Sequence, residues 1–313
     1  MTTRTHGFKG PISSLRVWAE PTVGVDGMTL SVSNLEMDIA QACNLHCFGC
    51  CHYSNYGLKG VIPFDQGREW IAAWVGRLNP RAFSLLGGEP ALNPDLIRYI
   101  AFAAEVWPEA QRTVVSNGMY LHRHENLFPV LKATGTRLEV SIHSHDDPVY
   151  TARSGGPIAT LKEQAAAHGV VMTTRDAKTL FHVTYRGYGP TMRPFEDEDP
   201  RRSWEVCQNK RCITLWQGRL WKCPPIAFLR LVLERHDLTG CAAWQPYLEY
   251  QGVPPTAGDA AISRVFAQTE EDICGMCPAR FNLIKKTNVT DPFKFGDPLP
   301  FEVIRGPAPE KTA

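Results

Sequence analysis

The sequence predicts an α/β protein built on a parallel sheet. Two observations lead there. From Leu35 onward, short apolar runs alternate with segments of helical length, the pattern of repeated βαβ units. The chain has 313 residues, 43% of them hydrophobic and 21% charged, enough to bury a sizeable core as one large α/β domain with an appendage or as two domains. The strands are expected at LEMDIA (35–40), AFSLL (82–86), RTVVS (112–116) and RLEVSI (137–142), with VVMTT (170–174) and FHVTY (181–185) as candidates for the last. The helices are expected over 64–78, 94–106, about 123–134 and about 157–168. Right-handed crossovers then allow an open sheet or a barrel.

Residues 1–30, rich in Gly, Pro and Thr, read as an N-terminal arm, and 31–192 as the core. RPFEDEDPRRS, at 193–203, reads as a solvated linker. A second unit over 204–285 opens with CITLWQGRLWKC (212–223), a β-hairpin turning at Gln217 and Gly218. A helix over about 226–235 follows it, and Ala257 to Ala267 forms another. Residues 286–313 are a tail. No internal repeat or low-complexity tract is visible.

Charge argues about partners. With 33 Lys and Arg against 32 Asp and Glu, the net charge of +1 speaks against a broad nucleic-acid footprint. No apolar run approaches the roughly 18 residues of a membrane span. The N-terminus MTTRTHGFKG lacks the apolar stretch of a signal peptide, so a cytoplasmic protein is expected. In that compartment ten cysteines point to metal ligands or reactive thiols rather than disulfides.

The cysteines fall into two groups. Cys43, Cys47, Cys50 and Cys51 stand together, and Cys207, Cys212, Cys223, Cys241, Cys274 and Cys277 lie in the last third. Cys43, Cys47 and Cys50 have the spacing C-x3-C-x2-C just after the first strand, three thiolates able to converge on a soft metal centre. On a four-iron cluster, three ligands leave one iron open for chemistry. A structural zinc site completed by His46 or His52 uses the same spacing, and Cys51 makes C-x3-C-x3-C a second geometry. Gly87-Gly88-Glu89-Pro90 ends the second strand, Ser116-Asn117-Gly118 the third, and Ser141 lies at the end of the fourth. Ligands of parallel α/β folds bind at such C-terminal strand ends, although Gly-Gly-Glu-Pro alone reads as a turn.

Taken in order, these motifs over about residues 35–185 resemble the radical S-adenosylmethionine (SAM) superfamily. The resemblance implies a partial (β/α)6 TIM-like barrel, with a 4Fe–4S cluster on Cys43, Cys47 and Cys50. It implies that the SAM amino and carboxylate groups sit on the open iron. Gly87, Gly88 and Glu89 would receive the amino group, while Ser141, Asn117 and Arg175 would hold the ribose or carboxylate. The family usually places an aromatic residue immediately before its third cysteine; here Gly49 stands there and Phe48 precedes it. Residues 204–280 resemble the twitch subdomain, a shortened SPASM module. That similarity implies a second, auxiliary 4Fe–4S cluster on Cys207, Cys223, Cys274 and Cys277, with Cys212 an alternative to Cys207. A zinc ribbon is the plainer reading of the same four thiols.

The implied activity is reductive cleavage of SAM to a 5′-deoxyadenosyl radical, which takes a hydrogen atom from a substrate carbon. An electron donor such as flavodoxin or ferredoxin and a small-molecule substrate are implied. Epimerisation of a sugar or aminocyclitol is the expected outcome, with Cys241 as the catalytic hydrogen-atom donor. Dehydrogenation of an alcohol and maturation of a ribosomal peptide are the alternatives within the class, and a zinc-stabilised binding module is the alternative outside it. His143, His145 and Asp146, and Tyr185, Arg186 and Tyr188, are substrate-contact candidates that read equally as loop residues. Trp204, Trp216 and Trp221 read as hairpin core.

Overall fold

The computed structural model describes residues 29–177, 180–286, 289–292 and 301–305, so the arm expected over 1–30 lies almost wholly outside the described residues. Two strands open the chain, β1 (Leu30–Val32) and β2 (Leu35–Ala40). Helix α1 (Phe64–Ala72) is shorter than its apolar pattern suggests: the chain turns after it, and Leu78–Pro80 becomes β3, parallel to β1. Four strand and helix elements then alternate as expected: β4 (Ala82–Gly87), α2 (Leu96–Val106), β5 (Gln111–Ser116) and α3 (Leu127–Thr134). Strand β6 (Arg137–Ile142) leads into α4 (Pro148–His168), and β7 (Met172–Asp176) follows.

Helix α4 starts well before the expected residue 157. Asp147 caps it by accepting from the amides of Val149 and Tyr150, and Pro148 occupies the first turn, where its missing N–H costs nothing. Gly155, Gly156 and Pro157 mimic a boundary but lie inside the helix. The expected strand 181–185 is also corrected. It is β8 (Leu180–His182), and it leaves the main sheet to pair antiparallel with β11 (Asn282–Lys286), which itself pairs with β12 (Phe301–Arg305). The tail expected from residue 286 therefore carries a strand.

Between these lie α5 (Pro200–Val206), the hairpin β9 (Thr214–Trp216) and β10 (Arg219–Trp221), α6 (Pro224–Ala227), α7 (Leu229–Arg235), α8 (Gln245–Leu248) and α9 (Asp259–Phe266). The helix expected over 226–235 is thus two, broken at Phe228. Segment 193–203 is pinned at the start of its acidic run. The Phe195 amide donates to the Met276 carbonyl at 3.0 Å, and Asp197 accepts from the Ala279 amide at 2.7 Å.

The main sheet has the order β10-β9-β2-β4-β5-β6-β7. All neighbours are parallel except the β9–β10 hairpin. Six parallel strands with helical crossovers form a partial TIM-like barrel, open between its edge strands. The hairpin docks on the free side of β2, with Glu36 opposite Thr214 and Met37 opposite Leu215. Leu215, Leu220, Ile262 and Phe266 consequently share one core with Met37, Phe83, Val114 and Leu138. A second core gathers Trp216, Trp221, Phe228, Val232, Trp244 and Met276 with Phe48, Tyr53 and Tyr56 from the first cysteine segment. Such apolar burial contributes about 25 cal/mol per Å² removed from water.

Candidate active site

Parallel strands put every β2, β4, β5 and β6 C-terminus on one side of the sheet, and the loops that follow converge there. The cysteine segment leaves β2 and is zipped to the end of β4. The Gly88 amide donates to the Ala40 carbonyl at 2.7 Å, and the Glu89 amide to the Ala42 carbonyl at 2.9 Å. This approach requires the glycines. A Cβ on Gly87 would lie 2.3 Å from the Ala40 carbonyl oxygen, and one on Gly88 2.3 Å from that of Ala42.

Glu89 is fully buried. Its Oε1 accepts from Ser116 Oγ at 2.6 Å and the Ala91 amide at 2.9 Å, and its Oε2 from the Asn117 amide at 2.8 Å. Burial pushes the carboxyl pKa up, and the three hydrogen bonds act against that rise. Asn117 passes the connection back to the cysteine segment, donating from Nδ2 to Asn44 Oδ1 at 2.8 Å. Asn44 is a member of this network that spacing rules do not flag.

The structure brings several expected residues together. Burial first, then the neighbouring Glu89 carboxylate, holds the Cys43 thiol well above its ordinary pKa, with Cys47 and Cys50 adding to the rise. Cys47 Sγ lies 3.3 Å from His143 Nδ1, which brings one residue of the SIHSHDD loop to the first cysteines. Ser141, buried, stands opposite Arg175 in the β6–β7 register. The Arg175 guanidinium is ion-paired to Glu139 at 2.8 Å and is exposed, away from the Glu89 network. His145 pairs with Asp176 at 2.8 Å on the open surface. Tyr185 and Tyr188 enter a ring cluster instead of facing solvent: Tyr56 and Tyr188 stack at 4.6 Å, Phe48 and Tyr188 at 5.2 Å. Trp216 and Trp221 are hairpin core, as expected, whereas Trp204 on α5 is half-buried beneath Lys210.

Gly49 has a physical reason to replace an aromatic residue. Its φ is +75°, and a Cβ there would sit 3.0 Å from Ile284 Cδ1 and 3.2 Å from Phe181 Cβ. The strands β8 and β11 leave no room for a side chain.

In the second group, Cys207, Cys223, Cys274 and Cys277 are electrostatic neighbours. Cys277 is held well above its ordinary pKa by burial and by its neighbours Cys207, Cys223 and Cys274. Burial pushes Cys207 up to about 11, with Cys274 among its neighbours. Cys212 stays beside Glu36 on β2, held up by burial and that carboxylate. Cys241 begins the short turn Ala242–Trp244 and packs half-buried against the second core. Its described contacts do not reach the ends of β4, β5 or β6.

Residues 37–170 match the family model described as the radical SAM superfamily. Over this stretch the chain is similar to radical SAM domains. The chain is 26% identical over 136 residues to the GTP 3′,8-cyclase of Paenarthrobacter nicotinovorans, covering 42% of this chain and 38% of that one. It is 27% identical over 135 residues to that of Rhodopirellula baltica, covering 42% and 37%. The chain thus spans well under half the length of these relatives. Among solved structures it resembles BtrN in complex with AdoMet and 2-DOIA, with a TM-score of 0.42 and 15% identity over 79% of this chain and 92% of that one. Native anSMEcpe with bound AdoMet gives a TM-score of 0.37 and 14% identity, over 45% and 42%.

The matched family implies a 4Fe–4S cluster and SAM. The donor set fits that group. The thiols are soft ligands, with Cys47 buried and Cys43 and Cys50 partly so. Kept protonated by burial, Cys43 and Cys50 would release protons on metal binding. Among the described residues, no three His, Cys, Asp or Glu side chains converge as one metal ion requires. His52, which a zinc site would recruit, is committed to Asp38 at 2.7 Å. No helix among the described residues is long and apolar enough to cross a membrane.

Proposed function

We propose that this chain is a radical SAM enzyme that epimerises a small polyhydroxylated molecule, a sugar or aminocyclitol. One observation carries the SAM-cleaving part: Glu89, Ser116, Asn117 and Asn44 form a continuous hydrogen-bonded unit that ties two strand ends to the cysteine segment. When bound, the cluster supplies one electron to the SAM sulfonium and so yields a 5′-deoxyadenosyl radical that removes a hydrogen atom from substrate. Cys43, Cys47 and Cys50 hold that cluster. Gly87, Gly88 and Glu89 bind the SAM amino group, and Ser141, Asn117 and Arg175 orient its ribose or carboxylate, with Arg175 released from Glu139. Cys207, Cys223, Cys274 and Cys277 hold a second 4Fe–4S cluster in a twitch-like subdomain over 204–285. A flavodoxin or ferredoxin delivers the electron.

Cys241 is the hydrogen-atom donor of the epimerisation: its S–H bond breaks, hydrogen passes to the substrate carbon, and a thiyl radical remains to be re-reduced by the electron donor. A second reading is favoured by Cys241's packing against the second core, away from the strand ends. In that reading Cys207, Cys223, Cys274 and Cys277 would hold a group able to accept one electron from the substrate radical, a proton would leave to solvent, and the product would be oxidised. Anaerobic incubation with SAM and dithionite should release 5′-deoxyadenosine, and the combined Cys43→Ala, Cys47→Ala and Cys50→Ala variant should release none. Release by that variant would overturn the assignment. With substrate in deuterated water, inverted product carrying one solvent deuterium supports epimerisation, and Cys241→Ala should abolish it while SAM cleavage continues. An oxidised product would support the second reading.

A further inference from the structure

The geometry points to His143 as a positioning residue for the first cysteine group: its ring N–H is aimed at the Cys47 sulfur and tunes the reduction potential of a cluster held there. The inference rests on the reading of Cys43, Cys47 and Cys50 as cluster ligands, and it gives a role to a side chain that reading leaves unassigned.

The two histidines of the SIHSHDD loop part company. His145 pairs with Asp176 on the surface. His143 turns inward, and its Nδ1 lies 3.3 Å from Cys47 Sγ, within hydrogen-bond reach of a sulfur. Both partners are held from behind. The His143 amide donates to the Tyr150 hydroxyl oxygen at 3.0 Å, and the two rings stand edge-on at 6.2 Å. Tyr150 is buried, and its own amide donates to Asp147 Oδ1 at 3.0 Å. Asp147 Oδ2 accepts from the Val289 amide at 3.0 Å. The Val289 carbonyl in turn accepts at 2.7 Å from the amide of His46, the residue before Cys47. The contacts thus close a circuit from Cys47 through His143, Tyr150, Asp147, Val289 and His46 back to Cys47. Cys47, Tyr150 and Val289 also share one buried cluster with Leu45 and Met119. Displacing the ring from the thiol would break this circuit.

Ligand chemistry fixes the direction of the contact. A thiol bound to metal has lost its proton to solvent, so its sulfur can only accept. Nδ1 must then carry the hydrogen and donate. Hydrogen bonds to ligand sulfurs are among the factors that set the potential of an iron–sulfur centre. Such a bond draws negative charge off the sulfur and favours the reduced state, in which that charge is greater. Outer contacts of this kind also hold a ligand in place. His52, the histidine that follows Cys51, cannot serve in the same way, because its Nδ1 is committed to Asp38 at 2.7 Å.

The test uses the full chain, anaerobically reconstituted with iron and sulfide. It follows the electron-paramagnetic-resonance signal of the reduced protein that shifts when SAM is added. Absence of any SAM-responsive signal in wild type would overturn the ligand reading itself, and this inference with it. His143→Asn keeps an N–H near the place of Nδ1, whereas His143→Leu has the size of Asn and no donor. Redox titration of the SAM-responsive signal should give a lower midpoint potential for His143→Leu and a value close to wild type for His143→Asn. A potential in His143→Leu equal to or above that of wild type, or an equal drop in both variants, would overturn the assignment. Isotope labelling gives a reading that needs no variant to take up iron. In wild type produced with histidine labelled with heavy nitrogen, pulsed resonance on the same signal should show a coupling to the labelled nitrogen, and His143→Leu should remove it. No such coupling in wild type, or one that survives unchanged in His143→Leu, would overturn the assignment too.

Discussion

At the scale of single residues, Glu89 has a structural duty beyond any ligand role. Its carboxylate accepts three hydrogen bonds in a fully buried position. Replacing it leaves a hydroxyl and two amides without acceptors, and each such loss costs about 1–3 kcal/mol. Glu89→Ala is therefore expected to destabilise the metal-free protein by about 3 kcal/mol or more, read by urea unfolding, in addition to weakening SAM binding. Glu89→Gln keeps a carbonyl acceptor and should lose about half as much. A Glu89→Ala protein as stable as wild type would show that the network is dispensable.

At the scale of elements, the α4 start and the β9–β10 turn carry the sharpest expectations. Asp147 caps α4 with Oδ1 and, with Oδ2, accepts from the Val289 amide at 3.0 Å and Thr290 Oγ1 at 3.3 Å. Burial alone would raise its pKa, but these hydrogen bonds outweigh burial and hold it below the ordinary aspartate value. A carboxyl that titrates lower folded than unfolded stabilises fully above about pH 4, and loses its contribution as pH falls through the folded pKa. Asp147→Ala should cost about 1–2 kcal/mol at neutral pH. The gap to wild type should narrow below about pH 4 in unfolding curves taken across pH. In the hairpin, Gln217 and Gly218 have φ of 51° and 72°. Both central residues are left-handed, as a type I′ turn demands, and Asn tolerates that region better than Gln. Gln217→Asn should raise stability by about 0.5 kcal/mol, measured by thermal unfolding, and no change or a loss would contradict the turn geometry.

At the scale of the whole molecule, a buried ion pair ties the hairpin to the C-x-x-C segment. Lys222 is 3% exposed and pairs with Glu271 at 3.3 Å, while donating to the carbonyls of Val265 and Ala267 at 3.3 and 3.0 Å. Tyr250 donates to the same carboxylate at 3.3 Å. Three separate segments meet there, next to Cys223 and Cys274. Breaking one partner of a buried pair costs about 3–5 kcal/mol, whereas an apolar replacement of both is often nearly neutral. Lys222→Met should thus destabilise the metal-free protein by about 3 kcal/mol, and the Lys222→Met/Glu271→Leu double variant should recover most of that loss. Equal losses in both proteins would mean the pair contributes little. The expected apportioning into core, linker and second unit meets a continuous structure at this point, because the hairpin extends the main sheet and segment 193–203 is bonded to the residues around Met276.

The strands of LEMDIA, AFSLL, RTVVS and RLEVSI, the two cysteine groups and the Gly-Gly-Glu strand end were all legible in the sequence. Each is written in residue type and spacing over a few neighbouring positions, where apolar runs, thiol spacing and glycines act locally. The start of α4 was equally local, in Asp147 and Pro148, but a stronger-looking signal at Gly155-Gly156-Pro157 obscured it. The rest depended on partners distant in the chain. Phe181 joins β11 instead of β7 because its hydrogen-bonding partner is Ile284, and Glu36 meets Thr214 only once the hairpin docks on β2. Glu89 has the composition of a ligand in either setting, and only the arrival of Ser116 and Asn117 makes it a latch. Gly49 violates a family habit because strands far along the chain press against it.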